Sequence, residues 1–207
     1  WDGTFFYVAC DTTDKIAQFD STGVYTSATN DIAIGAEEPT VTGLASDGTL
    51  LYILGSTNYT VYQYNLTTGY TGVSYLLTSI DTIPVGIEYY GANFWVTGKT
   101  NGKTYKLDST FIYKNPIAVQ AQDPRGIEYD DIANKYYIID VVNNKVFRYD
   151  DALIHDGFTF DTTPQGTIPR AIIQIGTALW ILDTSGTGGS IYEYDAAGVY
   201  QSNSFDV

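Results

Sequence analysis

Glu88 and Glu128 are the side chains whose spacing best suits chemistry. They hold the same place in two near-identical segments, Val85-Gly-Ile-Glu-Tyr89 and Arg125-Gly-Ile-Glu-Tyr129. Two carboxylates on neighbouring strands raise one another's pKa, which suits acid–base work or a cation site. The equivalent places elsewhere carry Ala45 and Ile173, so no ring of ligands is completed. Two solvated carboxylates facing a water-filled channel need have no role, and Glu88 and Glu128 are only weak candidates for a metal. His155 is the single histidine. One His cannot build a multi-His metal site, and no motif marks a triad around it; it is expected to be exposed, in an irregular strand. Cys10 is also single, so an intrachain disulfide is excluded, and it follows the apolar run 5–9 as an inert core residue. The acidic loops at 11–14, 130–131 and 183–189 lack the alternating Asp/Asn spacing of a calcium loop and read as turn formers. Asn58-Tyr-Thr60 and Asn65-Leu-Thr67 match the glycosylation pattern. No catalytic residue, cofactor or metal site is therefore assigned.

The elements that carry these residues repeat. Lys15-Ile-Ala-Gln-Phe-Asp20, Thr60-Val-Tyr-Gln-Tyr-Asn65, Lys103-Thr-Tyr-Lys-Leu-Asp108, Lys145-Val-Phe-Arg-Tyr-Asp150 and Ser190-Ile-Tyr-Glu-Tyr-Asp195 end 45, 43, 42 and 45 positions apart. A second ladder, Pro39, Pro84, Pro124 and Pro169, precedes short apolar segments. A third consists of aromatic–aliphatic runs at 5–9, 51–54, 94–96, 136–139 and 179–182. All three share one phase. Each unit reads as four short strands: a small apolar strand after the Pro, an aromatic strand, an alternating strand, and a polar outer strand opened by a turn such as Asp195-Ala-Ala-Gly198. The Tyr ladder of the third strand (Tyr62/Tyr64, Tyr192/Tyr194) is expected to pack between units. No helical periodicity is present. Four antiparallel strands at roughly 40–45 residues make a propeller blade, so the fold class is an all-β, five-bladed β-propeller in one domain, 1–207. The blades are expected at about 1–38, 39–83, 84–123, 124–168 and 169–207. The first strand of each should line the central channel, where Gly43, Gly86, Gly126 and Ala171 hold equivalent, crowded places.

Five complete repeats of about 44 residues need about 219, and the chain has 207. The deficit has a place. Trp1-Asp2-Gly3 aligns with Tyr89-Tyr90-Gly91, the end of a first strand, and the segment 200–207 aligns with a fourth strand. The sequence thus supplies 19 strands where a closed ring has 20, and the blade holding the strand at 5–9 lacks its innermost strand. An extended apolar segment with a Gly, like 85–89, is expected to fill it, from trimmed sequence or from a neighbouring subunit. Trp1, Asp2, Gly3, Phe5, Tyr7, Phe205 and Val207 mark this strand-complementation region.

The unit Val85-Gly-Ile-Glu-Tyr-Tyr-Gly-Ala-Asn-Phe-Trp-Val96, with Lys145-Val-Phe-Arg-Tyr-Asp150 and Ser204-Phe-Asp-Val207, resembles the NHL-like propeller repeats of secreted and surface bacterial proteins. In those arrays a Gly-Ile-x-Trp-Asp-Gly turn precedes a Tyr/Trp-Val strand and a Lys-Val-Tyr-x-Tyr strand. The resemblance spans the whole chain and implies a propeller and an extracellular or cell-surface place; it assigns no activity. The Trp-Asp of residues 1–2 is not the WD40 signature, which closes a third strand and comes with a Gly-His.

Composition limits the partners. The net charge is −14, from 24 acidic and 10 basic residues, a surface that repels phosphate backbones and anionic lipid. No run approaches a membrane span. The sequence has no Met and no signal peptide, so a leading segment is expected to have been removed. The leading expectation is a non-enzymatic extracellular structural or interaction protein that forms a homo-oligomer or filament by strand complementation. Two other classes stay open: a lectin-like or peptide-binding module with a glycan or protein ligand, and a propeller lyase or hydrolase. Nucleic-acid binding and membrane insertion are not expected.

Overall fold

The computed structural model describes residues 1–10, 13–34, 40–186 and 188–207. Within them lie 19 strands and no helix. The first sheet holds β1 (Phe6–Cys10), β2 (Lys15–Phe19) and β3 (Ile32–Ala33). Four sheets of four strands follow. They are β4 (Val41–Ser46), β5 (Leu50–Gly55), β6 (Thr60–Asn65) and β7 (Gly69–Leu76); β8 (Pro84–Tyr90), β9 (Asn93–Gly98), β10 (Lys103–Asp108) and β11 (Tyr113–Ala118); β12 (Pro124–Asp130), β13 (Lys135–Asp140), β14 (Lys145–Tyr149) and β15 (His155–Asp161); and β16 (Pro169–Ile175), β17 (Ala178–Asp183), β18 (Ser190–Asp195) and β19 (Tyr200–Asp206). Every pairing is between consecutive strands and antiparallel, for example Phe6↔Phe19, Leu179↔Tyr194 and Ile173↔Trp180. The chain is a five-bladed β-propeller whose first blade has three strands among the described residues.

Local chemistry explains the repetition. Pro84, Pro124 and Pro169 are themselves the first residues of β8, β12 and β16, where a missing N–H costs no ladder bond. In β4 that register place is taken by Val41, opposite Gly55 as Pro84 is opposite Gly98; Pro39 lies outside the described residues. An Asp follows or closes the third strand in four blades, and Asn65 holds the place in the other. Asp20, Asp108, Asp150 and Asp195 each accept two backbone N–H bonds, as in Thr22 and Val24 to Asp20 at 2.9 and 3.0 Å. These are the turns, Asp195-Ala-Ala-Gly198 among them, that the sequence predicts at the opening of the fourth strand. Asp130 and Asp183 likewise serve backbone N–H groups, while Asp11 falls outside the described residues.

The core is divided into five clusters, one at each junction between blades. Alternation along the third strand sends Tyr64, Leu107, Tyr149 and Tyr194 into them, each at most 1% exposed. The fifth cluster joins the last blade to the first: Phe6, Val8, Ala17 and Phe19 meet Trp180 and Ile191. The ring therefore closes by side-chain packing around the open blade. Near the axis the inner strands crowd, as the glycine ladder predicts. A Cβ on Gly86 would overlap the carbonyl oxygen of Arg125, and one on Gly126 would meet the Cα of Ala171 at 2.9 Å.

One outer strand differs from the repeat. β3 is only two residues long, joined to β2 beside the isolated bridge Phe19↔Tyr25. The segment 27–30 makes local bonds, with Asn30 N–H to the Ser27 carbonyl at 3.0 Å and Ser27 to Thr29 at 2.7 Å. Such local bonds compete with ladder formation.

Candidate functional site: the open blade

The site begins at the turn 1–5. The Asp2 carboxylate accepts from Thr4 N–H, Phe5 N–H and the Tyr7 hydroxyl, each at 2.8 Å. Asp47 makes the same three bonds to Thr49, Leu50 and Tyr52, at 2.9, 2.8 and 2.8 Å. Burial opposes ionisation of Asp2, but the Phe5 N–H, the Tyr7 hydroxyl and the Thr4 N–H outweigh it and hold the carboxyl below its usual range. Burial, with the Asp2 carboxylate adding to it, pushes the Tyr7 hydroxyl up to about 12. The turn after an innermost strand is thus fully formed, with Gly3 at φ 95° as Gly48 is at φ 84°. Trp1 sits where Ser46, Tyr89, Tyr129 and Gln174 sit in the other blades, at the end of an innermost strand, with its ring 5.1 Å from Phe6.

No described residue pairs with the inner side of β1. Which groups that leaves bare follows from alternation. The carbonyl of Gln18 accepts the N–H of Thr26 at 3.0 Å, so the backbone groups of Gln18 point away from β1. In an antiparallel pair such a residue faces a non-hydrogen-bonded partner. That partner is Tyr7, and two residues on, Ala9 opposite Ile16. The N–H and C=O groups of Tyr7 and Ala9 therefore point inward, where every other blade has a fourth strand.

They point into a cavity of 510 Å³. It runs from β1 across to β4 on one side and β16 on the other, floored by Trp180, Leu182 and Ile191, and it continues into the central channel. Arg125 and Arg170 line one part of it, Glu88 and Glu128 another. Arg125 pairs with Asp123 at 3.1 Å, and Lys99 reaches the same carboxylate at 3.1 Å. Burial and the neighbouring charge of Arg125 hold the Arg170 guanidinium below its ordinary value.

Glu88 and Glu128 are brought together, as their equivalent places predict. They stand opposite Trp95 and Tyr137 on their second strands and hydrogen-bond to one another. Glu128 also accepts the N–H of Gln174 at 2.8 Å. Burial, then the Glu128 charge, lifts Glu88 well above the carboxylate range. Burial lifts Glu128 to about 7 against the pull of the Gln174 N–H. The pair shares a proton near neutrality. Each is the other's partner, and among the described residues no group of three His, Cys, Asp or Glu is placed to hold a metal.

The remaining sequence candidates fall elsewhere. Phe5 and Gly3 belong to the turn. Phe205 and Val207 stand apart from the cavity lining: Phe205 lies 5.4 Å from Phe6 and 5.9 Å from Trp180, and Val207 donates its N–H to the Gly189 carbonyl at 2.9 Å. Both belong to the cluster joining the last and first blades. His155 is not an exposed loop residue; it opens β15, half-buried, edge-on to Phe147 and Tyr149 at 5.6 and 5.5 Å. Cys10 ends β1 half-buried at the rim of the core. The sequence reading missed Trp180, Leu182 and Gln174. The types of Trp180 and Leu182 show a strand, and only the ring shows that the place beside them is open and that Gln174 meets Glu128. The Asp2–Tyr7 brace was legible, because Asp47-Gly48 is followed by Tyr52 at the spacing of Asp2-Gly3 and Tyr7.

No family model matches the sequence, and no curated protein matches it. The fold has solved counterparts. A chain of the nidogen/laminin complex aligns over 99% of this chain and 93% of its own, with a TM-score of 0.65 at 15% identity. A protein of unknown function from Bacteroides caccae aligns over 97% and 77%, with a TM-score of 0.64 at 11% identity. Virginiamycin B lyase from Staphylococcus aureus aligns with a TM-score of 0.60 at 14% identity. That match covers 97% of this chain and 66% of the lyase, so the chain spans less than two thirds of that enzyme. At such identities the likeness is one of fold, and the chain is similar to these proteins as a β-propeller repeat protein.

Proposed function

We propose that this chain is a non-enzymatic, extracellular structural or interaction propeller of the NHL-like kind, which assembles by taking an extended strand of a second copy into its open blade. The observation that carries the reading is the bare inner edge of β1, with Tyr7 and Ala9 facing an apolar cavity. Each backbone group left unsatisfied in such a place costs ~1–3 kcal/mol, and an added strand recovers that energy and buries Trp180 and Leu182. Strand addition to an exposed edge is an established mode of recognition. A head-to-tail donation that does not close produces a filament. The non-enzymatic part rests on the sequence, where no motif marks a catalytic set around the pair Glu88 and Glu128. The extracellular part rests on the repeat resemblance. A second reading has the same cavity receive a peptide of a different protein.

The test is the mass of the purified chain by light scattering, with negative-stain microscopy, in ~0.1 M and ~1 M salt. Assemblies that survive high salt are expected, because main-chain pairing is not screened. Ala9→Pro should yield single, folded chains. Its N–H points into the cavity and not at β2, so the ring blocks the incoming strand and spares the β1–β2 ladder. A wild-type chain that stays single, or an Ala9→Pro chain that assembles normally, would sink the reading.

A further inference from the structure

Resting on the strand-acceptor reading above, we infer that the open blade selects its strand by register: five residues antiparallel to β1, no larger than Ala at the third and Leu or Ile at the fourth. The four inner strands that are present serve as the template. Pairing against the second strand places Val41, Pro84, Pro124 and Pro169 first, Gly43, Gly86, Gly126 and Ala171 third, and Ala45, Glu88, Glu128 and Ile173 fifth. The register shifts between first and third in β4, β8 and β16 and between first and fourth in β12, so the second residue lies in a bulge in each. Carried to β1, the first residue faces Cys10, the third Ala9 and the fifth Tyr7, and Trp1 already holds the sixth place. Five residues at ~3.3 Å span about 17 Å. The strand runs parallel to β4 and β16, entering from the Cys10 end.

The third place is small for a stated reason. The Cβ direction of each inner glycine aims at the next inner strand: Gly43 at Ile87 N, 3.1 Å; Gly126 at Ala171 Cα, 2.9 Å; and Gly86 at the Arg125 carbonyl. The incoming strand stands in the same relation to β4, so its third residue faces Thr42 to Leu44. Ala171, whose next inner strand is the absent one, is the single member of the series with a side chain.

The fourth place is apolar in all four templates: Leu44, Ile87, Ile127 and Ile172. Each packs into the cluster shared with the preceding blade, Ile87 beside Tyr52, Ile127 beside Trp95, Ile172 beside Tyr137. For the incoming strand the preceding blade is the last one, and Ile173, Trp180, Leu182 and Ile191 line the cavity there. The second and fifth places vary among Thr, Val, Arg, Ala, Glu and Ile and do not discriminate.

Residues 82–88 of the chain itself satisfy the pattern, and a labelled synthetic peptide of that sequence is the probe. Its binding to the dilute chain is followed by fluorescence polarisation, and amide exchange is followed at Tyr7 and Ala9. The parent peptide should bind and slow both amides. Peptides carrying Gly86→Val or Ile87→Asp, and the reversed sequence, should bind at least about tenfold more weakly. If they bind within about threefold of the parent and slow the same amides, the register inference is overturned while the strand-acceptor reading stands. If no peptide slows those amides and the chain remains single, both are overturned.

Discussion

Replacing Glu88 by Gln should make the propeller less sensitive to rising pH. In the folded chain Glu88 and Glu128 hydrogen-bond to each other with Gln174 N–H on the far side. Both folded-state values lie above the ordinary 4.5, Glu128 at about 7 and Glu88 raised well above that ordinary value. The folded chain then holds protons that the unfolded chain has released, so the pair's contribution is intact below about pH 4.5 and is lost as pH climbs through about 7 and beyond. For Glu128 alone, the gap from 4.5 to about 7 is worth at most ~3 kcal/mol at ~1.36 kcal/mol per pH unit. Because both carboxyls border an open channel, ~2 kcal/mol is the discounted figure. The amide of the Glu88→Gln variant donates to Glu128 at every pH and removes one of the two charges. The two proteins should be equally stable near pH 5, and the variant should lead by ~2 kcal/mol near pH 8. In urea, with m near 2 kcal/mol/M, this is a midpoint difference of about 1 M. Titrations shared by both proteins cancel in the difference. A stability difference that is flat from pH 5 to pH 8, or that favours wild type as pH rises, would refute the shared-proton pair.

Two substitutions test the ring itself. Gly86→Ala places a methyl against the Arg125 carbonyl and should cost ~2–3 kcal/mol, whereas Gly91→Ala, at φ 59° with open space around it, should cost only ~1 kcal/mol; equal losses would contradict the crowding at the axis. Phe205→Ala removes the ring between Phe6, Phe19 and Trp180 and should cost ~2–3 kcal/mol, with amide exchange accelerating first in β1 and β2. Uniform acceleration through all blades would argue against a local junction.

The period, the five blades and the 19 strands among the described residues, with none inside β1, were all determined by sequence, because the features that mark them are local. A Gly with positive φ, a Pro at a strand start and an Asp that accepts the N–H groups of its own turn act within a few residues, whatever surrounds them. Asp2-Gly3 with Tyr7 carries the same signal as Asp47-Gly48 with Tyr52. The crowded glycine ladder was legible too, since equivalent residues of a ring meet the same neighbours. What only the tertiary structure decided is which groups face one another across that ring. Equivalence places Glu88 and Glu128 on adjacent inner strands, but the contact between them and the reach of Glu128 to Gln174 depend on blade separation. His155 is drawn onto Phe147 and Tyr149 by a bulged register, and the short β3 follows a segment, 27–30, that bonds locally. Phe205, near the end of the sequence, packs on the first blade and not in the cavity, since ring closure is a contact between residues some 200 positions apart. The direction in which Tyr7 and Ala9 present their bare backbone groups follows from strand pairing, a property of two strands in register that no single segment contains.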